Sequence, residues 1–131
     1  MSLILGMSVY AQSISYPNPS VAYIEKMGYG FSKVMDANGN EQGNVIFPDG
    51  SKADAWDFLR GKAGQKYSYC AKKGYTTESK TIYHGSWTEE TSICSKVDNN
   101  GKVKEISMLE LMEANGVRIS GNWPKKRWSR R

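Results

Sequence analysis

Apolar positions along this chain switch between a helical and a strand period. After Asn18 and Pro19, the residues Val21, Tyr23, Ile24 and Met27 form a helical stripe. Asn18 suits the N-cap, Pro19 the first helical position and Gly28 the C-terminal stop. Residues 29–35 then alternate loosely through Tyr29, Phe31, Lys33 and Met35, which predicts a strand. A turn at 36–40, a return strand at 43–47 and a second turn at 48–51 follow. Ser51 is placed to cap a second helix with Ala55, Trp56, Phe58 and Leu59 on its apolar side, closed by Gly61 and Gly64.

The same order recurs. Residues 67–73 predict a helix stopped by Gly74, 76–83 a strand rich in β-branched residues, and 87–96 its return strand after a His84-Gly85 turn. A turn at 98–101 leads to a helix over 104–114, with Ile106, Leu109 and Met112 on one face and Asn115-Gly116 as the stop. The stretch from Tyr23 to Tyr29 is echoed from Tyr69 to Tyr75, with Tyr, Lys, Gly and Tyr at matching offsets. Val45-Ile46 answers Ile93-Cys94. The expectation is an α+β fold of two helix–β-hairpin–helix repeats, 18–64 and 65–116, with helices packed on antiparallel sheet and the two hairpins forming either one joined sheet or two separate units.

The only cysteines, Cys70 and Cys94, fall where the first copy has Ile24 and Ile46. That is the pattern of a disulfide beside a copy in which an apolar contact replaces it. Closing such a loop stabilises a fold by about 3 kcal/mol in the chain-entropy model. Pairing points to an oxidising compartment. Leu3 to Val9 is a short apolar run, and Val9-Tyr10-Ala11 places small or aliphatic residues before a cleavage position. Residues 1–11 therefore read as an export signal, shortened because the basic leading segment is missing. No apolar run has the length of a transmembrane helix.

Composition sharpens this in one respect. The 131-residue chain has a formal charge of +5 and 39% hydrophobic residues, with eight Tyr and four Trp, which suits a folded domain. The charge is uneven: no acidic residue follows Glu113, while Arg118, Lys125, Lys126, Arg127, Arg130 and Arg131 do. The rest of the chain is nearly neutral, so 117–131 is a cationic appendage. Trp123 and Trp128 are interleaved with its cations. This pattern suits adsorption to an anionic phospholipid or lipopolysaccharide surface, with Trp at the interface and Lys or Arg on phosphate. Export disfavours nucleic acid as the partner. The alternative is a solvated terminus that aids solubility.

Catalytic signatures are absent from the sequence. There is no nucleophile elbow, phosphate loop or dinucleotide fingerprint. His84 has no evident sequence partner and reads as a solvated turn residue, so no catalytic, cofactor-binding or metal residue is assigned. The Asn/Asp/Gly clusters at 36–40 and 98–101 lack the spaced oxygens and closing Glu of a calcium loop and read as hairpin turns. Glu89 and Glu90 are adjacent on a strand and so point to opposite faces. Asp49 and Arg60 beside Trp56 form a candidate recognition pair. The plainer reading gives Asp49 to its turn and Arg60 to a helix end.

Residues 18–63 resemble a bacterial family, domain of unknown function 333, whose members are exported or lipid-anchored proteins labelled candidate haemolysins. The resemblance rests on Asn18, Pro19, Ser20, Tyr23, Gly28, Gly43, the block Phe47-Pro48-Asp49-Gly50-Ser51, and Trp56, Arg60 and Gly61. It implies export and a cysteine-stapled fold, without a mechanism. The family's cysteine positions are occupied by Ile24 and Ile46 as one pair and by Ala53 and Ala63 as the other. No residue supports pore formation.

These readings converge on a periplasmic or secreted, non-enzymatic envelope protein that needs no cofactor. It binds a protein partner or an anionic surface, through the tail (Trp123, Lys125, Lys126, Arg127, Trp128, Arg130, Arg131) or a recognition loop (Phe47, Pro48, Asp49, Gly50, Trp56, Arg60). An inhibitor of a secreted hydrolase, inserting the 47–50 loop, is the second class. An enzyme of unrecognised type is the third.

Overall fold

Asn18 caps the first helix as its position predicts. Its Oδ1 accepts from the Ser20 N–H at 3.0 Å and the Ser20 hydroxyl at 2.8 Å. The structure, a computed structural model, describes residues 18–119. Helix α1 (Pro19–Met27) ends at Gly28, whose φ of 79° is a left-handed conformation that a Cβ disfavours. Strands β1 (Gly30–Met35), β2 (Glu41–Ile46) and β3 (Lys52–Asp54) form an antiparallel sheet in chain order. The short helix α2 (Ala55–Leu59) follows. A 3₁₀ turn, Gln65–Tyr67, leads into α3 (Tyr69–Lys72). Strands β4 (Thr76–Tyr83), β5 (Thr88–Val97) and β6 (Val103–Ser107) form a second antiparallel sheet in chain order, and α4 (Met108–Ala114) completes the described fold. The class is α+β, with the same element order in both units.

Two features differ from the sequence expectation. Each unit has three strands where a hairpin was expected, because the residues read as helix starts pair with the preceding strand. Ala53 lies opposite Val45, and Ile106 lies opposite Cys94. The helices begin later, at caps supplied by Asp54 and Ser107, whose side chains accept from the Asp57 and Glu110 N–H groups at 3.1 Å. Ser51 does not cap a helix: its N–H and hydroxyl donate to Asp49. The strands form two separate sheets, one per unit, which decides between the two arrangements the sequence allows. Second, the first-unit place corresponding to Cys94 is Val45, not Ile46. Val45 and Cys94 each pair with the residue just before a helix cap, and each lies opposite a residue two positions beyond the Tyr that follows the glycine stop (Phe31 and Thr77). Ile24 and Val45 are fully buried, as are Cys70 and Cys94. Cys70 and Cys94 are disulfide-bonded, with Cα atoms 5.1 Å apart.

Both units contribute to one core. Tyr23, Ile24, Val45, Phe47, Ala55, Phe58 and Leu59 pack in a single cluster with Tyr69, Cys70, Cys94, Met108 and Met112. Phe58 packs its ring against Tyr23 at 4.8 Å and Phe47 at 5.1 Å between centroids, and Phe47 stacks on Tyr67 at 4.6 Å. The Tyr23 hydroxyl joins the units. It accepts from the Tyr69 N–H at 3.0 Å and donates to Met108 Sδ at 3.2 Å. Burial holds that phenol well above the ordinary tyrosine range. Gly61 marks a close backbone approach across the seam. Its φ is +82°, and a Cβ there would lie 2.8 Å from Ser92 Oγ and 3.1 Å from the Glu78 carbonyl oxygen.

Candidate functional site

Where the units meet on the surface, they enclose a cleft of about 460 Å³. The first unit supplies Trp56, Leu59 and Arg60. Asp54 caps α2 and sets its phase, and the spacing of these three residues puts them on one helical face. The second unit supplies residues of β4 and β5, Trp87 from the turn between them, and Met108 and Leu109 from the start of α4. The Ser92 hydroxyl donates to the Leu59 carbonyl at 2.8 Å, tying β5 to the end of α2.

The charged groups of the cleft are disposed unequally. Glu90 pairs with Lys62 of the first unit at 3.2 Å. Glu89 Oε1 lies 2.7 Å from His84 Nε2, with both side chains largely covered. His84 is therefore not the solvated turn residue its sequence position suggests: its ring also stacks on Trp87 at 4.0 Å. Its partner is five residues away, and the β4–β5 pairing brings the two together. Among the described residues, the buried Trp87 indole N–H has no acceptor. Arg60 holds its guanidinium 4.9 Å above the Trp56 ring. Glu89 and Glu90 both line the cleft, each engaged with a different partner.

Other sequence candidates are divided by the fold. Trp56 and Arg60 lie together in the cleft, while none of Phe47, Pro48, Asp49 and Gly50 lines it. Phe47 is 5% exposed and belongs to the aromatic core, so the loop presents only Pro48, Asp49 and Gly50. Asp49 accepts from the Ser51 hydroxyl at 2.6 Å and the Ser51 N–H at 2.9 Å. Those bonds, with a lesser contribution from the Tyr67 hydroxyl, lower its pKa to about 2. Asp36 and Asp98 are also held below the usual carboxylate range, first by the backbone N–H groups of Asn40 and Lys102 respectively. Their oxygens organise hairpin turns, as the sequence suggests. Among the described residues, no three His, Cys, Asp or Glu side chains gather into a metal-binding group. The tail residues Trp123, Lys125, Lys126, Arg127, Trp128, Arg130 and Arg131 lie outside the described residues, as does the 1–11 segment read as an export signal. No described helix is long and apolar enough to cross a membrane.

The sequence reading missed the second-unit half of the cleft. Two adjacent carboxylates and a Trp in a turn carry no motif. Only the register of β4 on β5 and their docking against α2 make them neighbours.

Comparison with known proteins extends over both units. An uncharacterised protein of Archaeoglobus fulgidus is 35% identical over 95 residues, 72% of this chain and 41% of that protein. A 95-residue stretch of a 131-residue chain leaves 36 residues over, so it always contains residues 37–95 and thus parts of both units. The chain spans less than half the length of that relative. No solved structure matches the chain. Residues 15–62 match the family model described as a domain of unknown function, DUF333. The first unit, with the Trp56 and Arg60 wall of the cleft, thus belongs to the DUF333 family.

Proposed function

We propose that this chain is an exported, non-enzymatic envelope protein that binds a protein partner in the cleft between its units. The observation that carries this reading is the joint construction of the cleft. Two aromatic side chains and an arginine, the residue types enriched at binding hot spots, converge from both units over one shared core. The disulfide supports residence in an oxidising compartment, periplasmic or secreted. The shared element order supports two copies of one unit fused into a single binding surface.

The test is retention of a partner from envelope extracts by three immobilised chains: wild type, Leu109→Trp to fill the cleft, and a deletion of 122–131. Retention is expected to fall with Leu109→Trp and persist in the deletion. The opposite pattern would transfer the function to the basic tail and an anionic surface. The hydrolase-inhibitor reading draws less support, since the core holds Phe47 and leaves a short turn to insert. Inhibition of a hydrolase panel, lost on changing Pro48 and Asp49, would restore it.

A further inference from the structure

We infer that the cleft receives the free C-terminal carboxylate of a polypeptide ending in an apolar residue, with Arg60 as the anchor. This rests on the cleft being the binding site. Its acidic side chains already have partners: Glu90 is paired with Lys62, and Glu89 with His84. Arg60 differs. It has the Trp56 ring against its guanidinium and, among the described residues, no carboxylate or carbonyl bonded to the guanidinium N–H groups.

A guanidinium carries five donors and stays charged at any working pH. Half-buried on an aromatic wall, it favours an acceptor that takes two N–H groups at once, and a carboxylate has that geometry. With Glu89 and Glu90 engaged, Arg60 is the cation that the described lining of the cleft leaves to meet a carboxylate. The neighbouring surface is mixed. Thr81, Thr88 and Thr91 offer hydroxyls to a terminal peptide unit, while Leu59 and Leu109 offer an apolar wall to its side chain. A phosphate or acidic sugar would satisfy Arg60 but leave that wall facing polar groups. The volume of about 460 Å³ is in the range of pockets for small ligands, enough for the last residues of a chain.

The experiment uses the full chain carrying Trp123→Phe and Trp128→Phe, so that fluorescence reports Trp56 and Trp87. The probes are N-acetyl-Ala-Ala-Leu with a free carboxylate, the same peptide as its amide, inorganic phosphate and glucuronate. The acid is expected to saturate the signal, with the amide at least about tenfold weaker. Arg60→Gln is expected to lose a similar factor, and Arg60→Lys to keep part of the binding. Equal binding of acid and amide overturns the inference, and that comparison needs no variant to fold. No saturation by the acid, or tighter saturation by phosphate or glucuronate, overturns it as well. Partner retention abolished by Leu109→Trp but untouched by Arg60→Gln would refute the carboxylate anchor and leave the cleft reading standing. Retention indifferent to Leu109→Trp would remove the cleft reading itself.

Discussion

In the first unit, Ile24 and Val45 fill the two buried places that Cys70 and Cys94 occupy in the second. Around Ile24 and Val45 the core is aromatic: Tyr23, Tyr29, Phe47 and Phe58 lie ring against ring. The second unit fills the corresponding volume with one buried ring, Tyr69, and with Met108, Met112 and the bridged sulfurs. Aromatic rings bury large areas and prefer defined mutual geometries. Methionine is flexible and specifies less. The covalent link therefore stands on the side of the core where packing alone fixes the chain less firmly.

The largest expected effect sharpens that contrast. Phe58→Ala should cost about 4 kcal/mol, because it empties the centre of the aromatic cluster. Leu111→Ala, at the corresponding position of the half-buried α4 face, should cost about 2 kcal/mol or less. Urea titration of both variants checks the ratio; equal losses would contradict an aromatic-dominated first unit. Next, Cys70→Ala with Cys94→Ala should cost about 3 kcal/mol, while Ile24→Cys with Val45→Cys should form a second bridge and recover a comparable amount. Mass spectrometry under non-reducing conditions reads the new bond. Its absence, or its formation with Ile46→Cys in place of Val45→Cys, would break the register assigned here.

Smaller effects concern the seam. Tyr23→Phe leaves the buried Tyr69 N–H without an acceptor and should cost about 2 kcal/mol. Tyr69→Phe removes a bond from the exposed Asn115 amide and should cost about 1 kcal/mol or less. Thermal melts of the pair test whether the two tyrosines are as unequal as their surroundings. Smallest is the contribution of Asp49. Its folded pKa is depressed to about 2, so its stabilisation is present above the ordinary carboxylate value and is lost as pH falls from about 4 toward 2. Asp49→Asn should flatten the urea midpoint over that interval and leave it nearly unchanged between variants at pH 2. A steeper decline in the variant would reverse the sign.

The Asn18 cap, the glycine stops and the turns were legible in the sequence because their chemistry is local, whereas the Asp54 and Ser107 caps depend on where the third strands end. Asn18, Gly28 and Gly74 fix backbone geometry within a few residues, and β4 falls at the predicted 76–83. β3 and β6 were not legible. Three residues at 52–54 and five at 103–107 become strand only because a formed neighbour offers unpaired N–H and C=O groups. The one-residue error in pairing Cys94 with Ile46 has the same origin: two adjacent apolar residues cannot be ranked until a register puts one of them inside. Half of the cleft was readable as Trp56 and Arg60. The half made by Trp87 and Glu89 exists only through the docking of the units.

That docking bears on where such a protein can be cut. The family match ends at residue 62, before the Gln65–Tyr67 turn whose Tyr67 ring lies on Phe47, and before the Tyr69 N–H that donates to the Tyr23 hydroxyl. A fragment stopped there leaves Tyr23 without the Met108 sulfur and the Tyr69 N–H, and Phe47 without the Tyr67 ring. The heritable module and the foldable piece are therefore different lengths of polypeptide: the shorter one needs a covering, and here its own chain continues far enough to provide it.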